Sequence, residues 1–77
     1  MTRAEIQKLE AYFQKRFKLP TIEMRQRPRQ EDSVELFIGD EFVGLVYRDD
    51  EDGDRSYNFS MAILEMDLPR VAGVPPE

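Results

Sequence analysis

An α+β fold, with one N-terminal helix packed on a four-stranded antiparallel meander sheet in the order α-β-β-β-β, is predicted by three features of this 77-residue chain. Apolar residues recur at a spacing near 3.6 as far as Pro20, which marks an amphipathic helix. Beyond Pro20 they alternate with polar residues at a spacing of two, which marks half-buried strands. Runs rich in Gly, Pro and Asp then cut the alternating part into four pieces.

The helix opens on Thr2 and Glu5, a capping-box pair in which the hydroxyl takes an early amide and the carboxylate reaches back to the cap. Ile6, Leu9, Phe13 and Phe17 follow on one stripe, with Tyr12 at its flank. Lys15, Arg16 and Lys18 suit the negative end of the helix dipole, and Pro20 disfavours helical geometry at Leu19. The first strand runs from Thr21 to Arg27, with Ile22 and Met24 inward, and Pro28 to Asp32 is a turn. Ser33 to Ile38 is the second strand, Gly39-Asp40 a two-residue hairpin loop, and Glu41 to Arg48 the third strand.

Counting outward from that loop pairs Phe37 with Phe42, Leu36 with Val43 and Val34 with Leu45. The helix-facing side then collects Val34, Leu36, Ile38, Val43, Leu45 and Tyr47. Phe37, Phe42 and Val46 share the outer side with Glu35 and Gly44. After the acidic turn Asp49 to Asp54, the fourth strand is expected over Arg55 to Leu64, with Tyr57, Phe59, Met61 and Ile63 inward. A C-terminal helix from about Ser60 is the rival, and the long alternation favours the strand. Residues 1–68 form one domain on this reading. Residues 69–77, which hold three of the five prolines, are expected to be a disordered or loosely attached tail.

At 9.1 kDa a compact chain exposes ~4,900 Å² of the ~13,000 Å² available when extended, so the core is small. There is no Cys, His or Trp, which removes disulfides, thiolate nucleophiles, imidazole ligands and the commonest proton shuttle. The serines have no histidine to activate them, the lysines crowd one exposed helix, and the four glycines are too scattered to cradle a phosphate. The acidic turn does not read as a calcium loop, because aligning Gly53 with the invariant loop glycine puts Arg48 first and Phe59 last, where carboxylates are required. No catalytic residue, cofactor or metal site is assigned. No apolar run nears the roughly 20 residues of a bilayer span, and the first residues lack a secretory leader's apolar stretch. An intracellular, cytoplasmic location is expected, with no membrane partner.

Charge is divided along the chain. Residues 1–30 carry eight Lys or Arg against three acids, and residues 31–77 carry three Arg against thirteen acids, for a net of −5. Two surfaces follow. Phe37, Phe42 and Val46 form a candidate interface, since apolar side chains on an outer sheet face call for a partner or a second copy. Arg25, Arg27 and Arg29 form a candidate anion site, in the manner of sheets that grip phosphates and stack bases.

The runs Ile38-Gly39-Asp40-Glu41-Phe42, Arg48-Asp49-Asp50-Glu51-Asp52-Gly53, Ser56-Tyr57-Asn58-Phe59 and Met61-Ala62-Ile63-Leu64 resemble the small alphaproteobacterial family catalogued as domain of unknown function 3126. The likeness covers about residues 3 to 68. It implies a bacterial cytoplasmic protein and carries no activity or designated site residues. The expected function is that of a small non-enzymatic protein-interaction domain, self-associating through the outer sheet face or binding an unidentified protein. Nucleic-acid binding through the basic N-terminal half is the alternative.

Overall fold

Thr2 starts the helix as its sequence requires: its hydroxyl accepts from the Glu5 amide at 3.1 Å, and the Glu5 carboxylate accepts from the Thr2 amide at 3.0 Å. In the computed structural model, which describes residues 1–51 and 53–75, the helix α1 spans Arg3–Phe17. It closes on Lys18 in the left-handed conformation, φ 56°, with the amides of Lys18 and Leu19 both donating to the Gln14 carbonyl. Leu9 and Phe13 are buried and Ile6 packs beside them, whereas Tyr12 and Phe17 stay at least half exposed. The helix therefore buries a narrower stripe than its sequence offers.

Four antiparallel strands follow, β1 (Ile22–Arg27), β2 (Gln30–Ile38), β3 (Glu41–Asp49) and β4 (Ser56–Ser60), in the spatial order β1-β2-β3-β4. The α+β meander is thus as the sequence predicts, with strand boundaries corrected: β1 begins at Ile22 and β4 at Ser56, each one residue later than expected. β2 begins at Gln30, because Pro28 and Arg29 alone make the turn, Arg29 taking φ 63°. β3 runs one residue further, to Asp49. β4 is only five residues long, so Met61 and Ile63 do not face the core and are 46% and 65% exposed. The expected tail falls partly on Pro76 and Glu77, which lie outside the described residues, as does Asp52 of the acidic turn.

The register departs from simple counting at one place. Phe37 pairs with Phe42, but Leu36 pairs with Gly44, so Val43 is the extra residue of a β-bulge. One extra residue inverts the faces beyond it. Gly44 and Val46 turn toward the helix, and Leu45 and Tyr47 turn outward, opposite to the expected assignment. Val46, placed on the outer face by counting, is fully buried with Val34, Leu36, Ile22 and Met24 in the core. β4 ends at the same place, since a Cβ on Gly44 would lie 2.4 Å from the Ser60 carbonyl oxygen and 2.9 Å from Met61 Cβ.

The two sheet edges differ. Along β1, the Met24 amide donates to Glu10 Oε2 at 2.9 Å and the Ile22 carbonyl accepts from Gln14 Nε2 at 2.9 Å. Two helix side chains one turn apart thus occupy the backbone groups of that edge, which would otherwise offer a template for pairing. β4 has β3 on one side and no strand on the other. Beyond it residues 61–64 belong to no helix or strand, Leu64 being extended, and a short 3₁₀ turn follows at Glu65–Asp67. The molecule exposes 6666 Å² with a radius of gyration of 15.3 Å. A compact chain of this size would show ~4,900 Å² and about 11.5 Å. In the segment after β4 every large apolar side chain is exposed, as are Tyr12, Phe17, Leu19, Phe42 and Tyr47 elsewhere.

Gly44→Ala should lower the unfolding free energy by about 1–3 kcal/mol, because backbone and core atoms must move to admit one methyl group. Gly39→Val should lose roughly 1–2 kcal/mol for a different reason: a Cβ there meets nothing within 4 Å, and the strain is that of a β-branched residue at φ 62°. Urea unfolding of both variants checks the two values.

Candidate functional site

Polar chemistry concentrates where the helix N-terminus meets the ends of β3 and β4. Glu5 is fixed there by the capping box, and antiparallel pairing of Arg48 with Tyr57 brings both side chains under it. The Tyr57 hydroxyl donates to Glu5 Oε2 at 2.6 Å, Arg48 Nη1 donates to Oε1 at 3.1 Å, and Arg55 Nη1 donates to Oε2 at 3.3 Å. Arg48 also reaches Asp32 at 2.9 Å and Asp50 at 3.3 Å, the second as an ion pair in which its Nε–H is not aligned on an acceptor. Arg55 closes the ring onto Asp50 at 2.9 Å.

This surrounding fixes the protonation of the cluster. The Tyr57 hydroxyl, then the Thr2 amide, then the charges of Arg48 and Arg55 hold the Glu5 carboxyl at about 2, below its ordinary 4.5, with partial desolvation opposing them. The hydrogen bond to Glu5, reinforced by burial, pushes the Tyr57 phenol up, so it remains a neutral donor. A carboxylate that weak a base, already facing four donors, is suited to holding the helix on the sheet. It is poorly suited to taking a proton from a substrate near neutral pH.

The outer sheet face has a different character. Phe37 and Phe42 meet edge to face at 5.8 Å between ring centroids, and the Arg25 guanidinium lies 3.8 Å above the Phe37 ring. Leu45 and Tyr47 extend this face through their pairing with Glu35 and Ser33, and with Ser60 and Asn58. Phe42 and Tyr47 are 50% and 42% exposed. Two of the three expected interface residues, Phe37 and Phe42, therefore come together, and Val46 is across the sheet in the core. Leu45 and Tyr47, which take its place, were hidden by the bulge. Only the glycine at position 44 hints at it, since Gly inside a strand often marks a bulge or a close backbone approach.

The three expected anion-binding arginines separate. Arg25 stacks on Phe37 and is paired with Glu23 at 2.6 Å and Asp40 at 3.3 Å. Arg27 and Arg29 line an open recess of about 630 Å³ beside the helix N-terminus, together with Arg48 and Glu31. Arg27 donates to Ser33 Oγ at 2.8 Å, and Arg48 is neutralised by Glu5, Asp32 and Asp50. A second recess, of about 530 Å³ and more apolar, lies between α1 and β4 and is lined by Leu9, Tyr12, Phe13 and Tyr57 under Lys8 and Arg55. Among the described residues no three His, Cys, Asp or Glu side chains are grouped to hold a metal ion. No helix is long and apolar enough to cross a membrane.

The family model described as Protein of unknown function (DUF3126) matches residues 5–67. No curated protein and no solved structure matches the chain.

The Glu5 cluster predicts a pH dependence with a definite sign. Because folding depresses the Glu5 pKa, its contribution to stability is complete above about pH 4.5 and is lost as pH falls toward 2. Thermal melts between those values should show a smaller fall in Glu5→Gln than in the wild type. Tyr57→Phe, which removes the largest stabiliser of the carboxylate, should move the fall to higher pH.

Proposed function

This chain belongs to that uncharacterised family, and we propose from its own residues that it is a non-enzymatic protein-interaction domain that self-associates through the outer face of its sheet. The observation that carries this reading is the uncovered Phe37–Phe42 pair, continued by Leu45 and Tyr47 along β3. Aromatic side chains held rigidly by a sheet, with an arginine stacked on one of them, have the composition of interface centres. The rim is charged, with Glu23, Arg25, Glu35 and Asp40 around the aromatic pair, which suits a contact whose periphery remains in water. The Glu5 cluster supports the non-enzymatic part of the reading, since its central carboxylate is a weak base already saturated by donors.

Nucleic-acid binding draws on the same face and has less support, because Arg25 is shared between two carboxylates while Arg27 and Arg29 sit at the far hairpin. It would appear as a salt-sensitive affinity for single-stranded RNA or DNA that weakens in Arg25 and Arg27 variants.

Sedimentation velocity at micromolar concentration tests the reading with two variants. Phe42→Ser should weaken self-association roughly tenfold or more, as expected for a central aromatic worth ~2 kcal/mol, while leaving the melting temperature close to wild type. Leu36→Ser, at a buried core position, should instead unfold the chain. A wild type that sediments as a 9.1 kDa monomer throughout would refute the reading.

A further inference from the structure

The segment after β4 is apolar and uncovered. Met61, Ile63, Leu64, Met66 and Leu68 are 46% to 85% exposed, although together they rival the buried core in size. From Phe59 to Leu68 there is no glycine or proline, and between β4 and the 3₁₀ turn the chain belongs to no helix or strand. The one turn that follows is pinned locally, with the Leu64 amide donating to Asp67 Oδ2 at 3.2 Å and the Asp67 amide donating to the Leu64 carbonyl at 2.8 Å. The segment leaves these side chains uncovered, and the chain as a whole reaches 46 Å along its longest axis.

A surface of matching character is also unfilled. The recess between α1 and β4 presents Leu9, Tyr12, Phe13 and Tyr57, and Phe17 continues it along the helix at 50% exposure. Lys8 stands on its rim and the helix adds Lys15 and Arg16, while Arg55 is already paired with Glu5, which also lines the recess, and with Asp50. The segment after β4 carries Glu65 and Asp67 between its apolar side chains. Apolar surface and charge are thus complementary between two parts of the same sequence.

We infer that the C-terminal segment of one copy, Met61 to Leu68, docks in the recess between α1 and β4 of a second copy, so that two chains exchange arms. This rests on the self-association proposed above and names the segment that fastens it. The surface in question is large enough. The chain exposes ~1,800 Å² more than a compact chain of its mass, and a stable interface buries about 800 Å² per partner.

The chain has no cysteine, so single cysteines report the contact cleanly. Full-length Tyr12→Cys and Leu64→Cys proteins, carrying different tags, are mixed and treated with a short bismaleimide. Both positions are at least half exposed within the chain, so neither substitution should disturb folding. A cross-linked pair joining the two tags is expected, and Ile63→Asp with Leu64→Asp should weaken self-association at least tenfold without lowering the melting temperature. Cross-linking confined to single chains of the Tyr12→Cys, Leu64→Cys double variant would place the arm in its own recess and overturn the inference. Self-association that is sensitive to Phe42→Ser, yet indifferent to the arm variant and without the mixed cross-link, would overturn the arm exchange alone. A wild type that never self-associates would overturn both.

Discussion

One fifteen-residue helix cannot cover a four-stranded sheet, and most features of this molecule follow from that constraint. The helix lies toward β1, where Glu10 and Gln14 occupy the backbone of the edge strand and Leu9 and Phe13 meet Ile22, Met24, Val34, Leu36 and Val46. Toward β4 its apolar cover thins to the contact of Phe13 with Phe59, ring centroids 5.6 Å apart. Among the described residues no helix packs on the outer face, where only the Arg25 and Arg27 side chains lie over Phe37 and Ser33. A core of seven buried apolar side chains is small even for this chain length, and domains of this size often gain further burial by association.

The Glu5 cluster compensates on the side where packing is weakest. Arg48 and Arg55 hold one carboxylate from the ends of β3 and β4, and the Tyr57 hydroxyl reaches it from β4. The helix N-terminus is thereby tied to the strands farthest along the sheet. Exposed ion pairs contribute little individually, but this carboxylate is only 12% exposed and is shared by several donors at once. The acidic turn takes part through Asp50, which bridges Arg48 and Arg55. The division of charge along the chain thus resolves locally into pairs between neighbouring elements.

Much of this was legible in the sequence because periodicity and turn chemistry are local. The Thr2–Glu5 box, the 3.6-residue stripe, the Gly39-Asp40 loop and the alternation of β1 and β2 each follow from a few adjacent residues. The bulge does not, because Val43 reads as an ordinary strand residue, and the close approach of Ser60 to Gly44 beside it joins residues sixteen positions apart. That single insertion moved Val46 into the core and put Leu45 and Tyr47 on the outer face. The end of β4 was hidden for the same reason, since Met61 and Ile63 keep the alternation of a strand after β3 has bent away. Phe37 and Phe42 could be paired by counting because they lie between the loop and the bulge. The hub at Glu5 could not be found that way, since it joins residues about fifty positions apart.

The proposed self-association rests on an outer sheet face with exposed aromatic side chains and on the exposed apolar segment after β4. Small-angle X-ray scattering on the unmodified protein over a micromolar concentration series measures mass and dimensions together. A scattering mass of twice 9.1 kDa is expected, with the particle more compact for its mass than the 15.3 Å radius of gyration of the isolated chain implies. A mass of 9.1 kDa at every concentration, with a radius of gyration near that of the isolated chain, would contradict it.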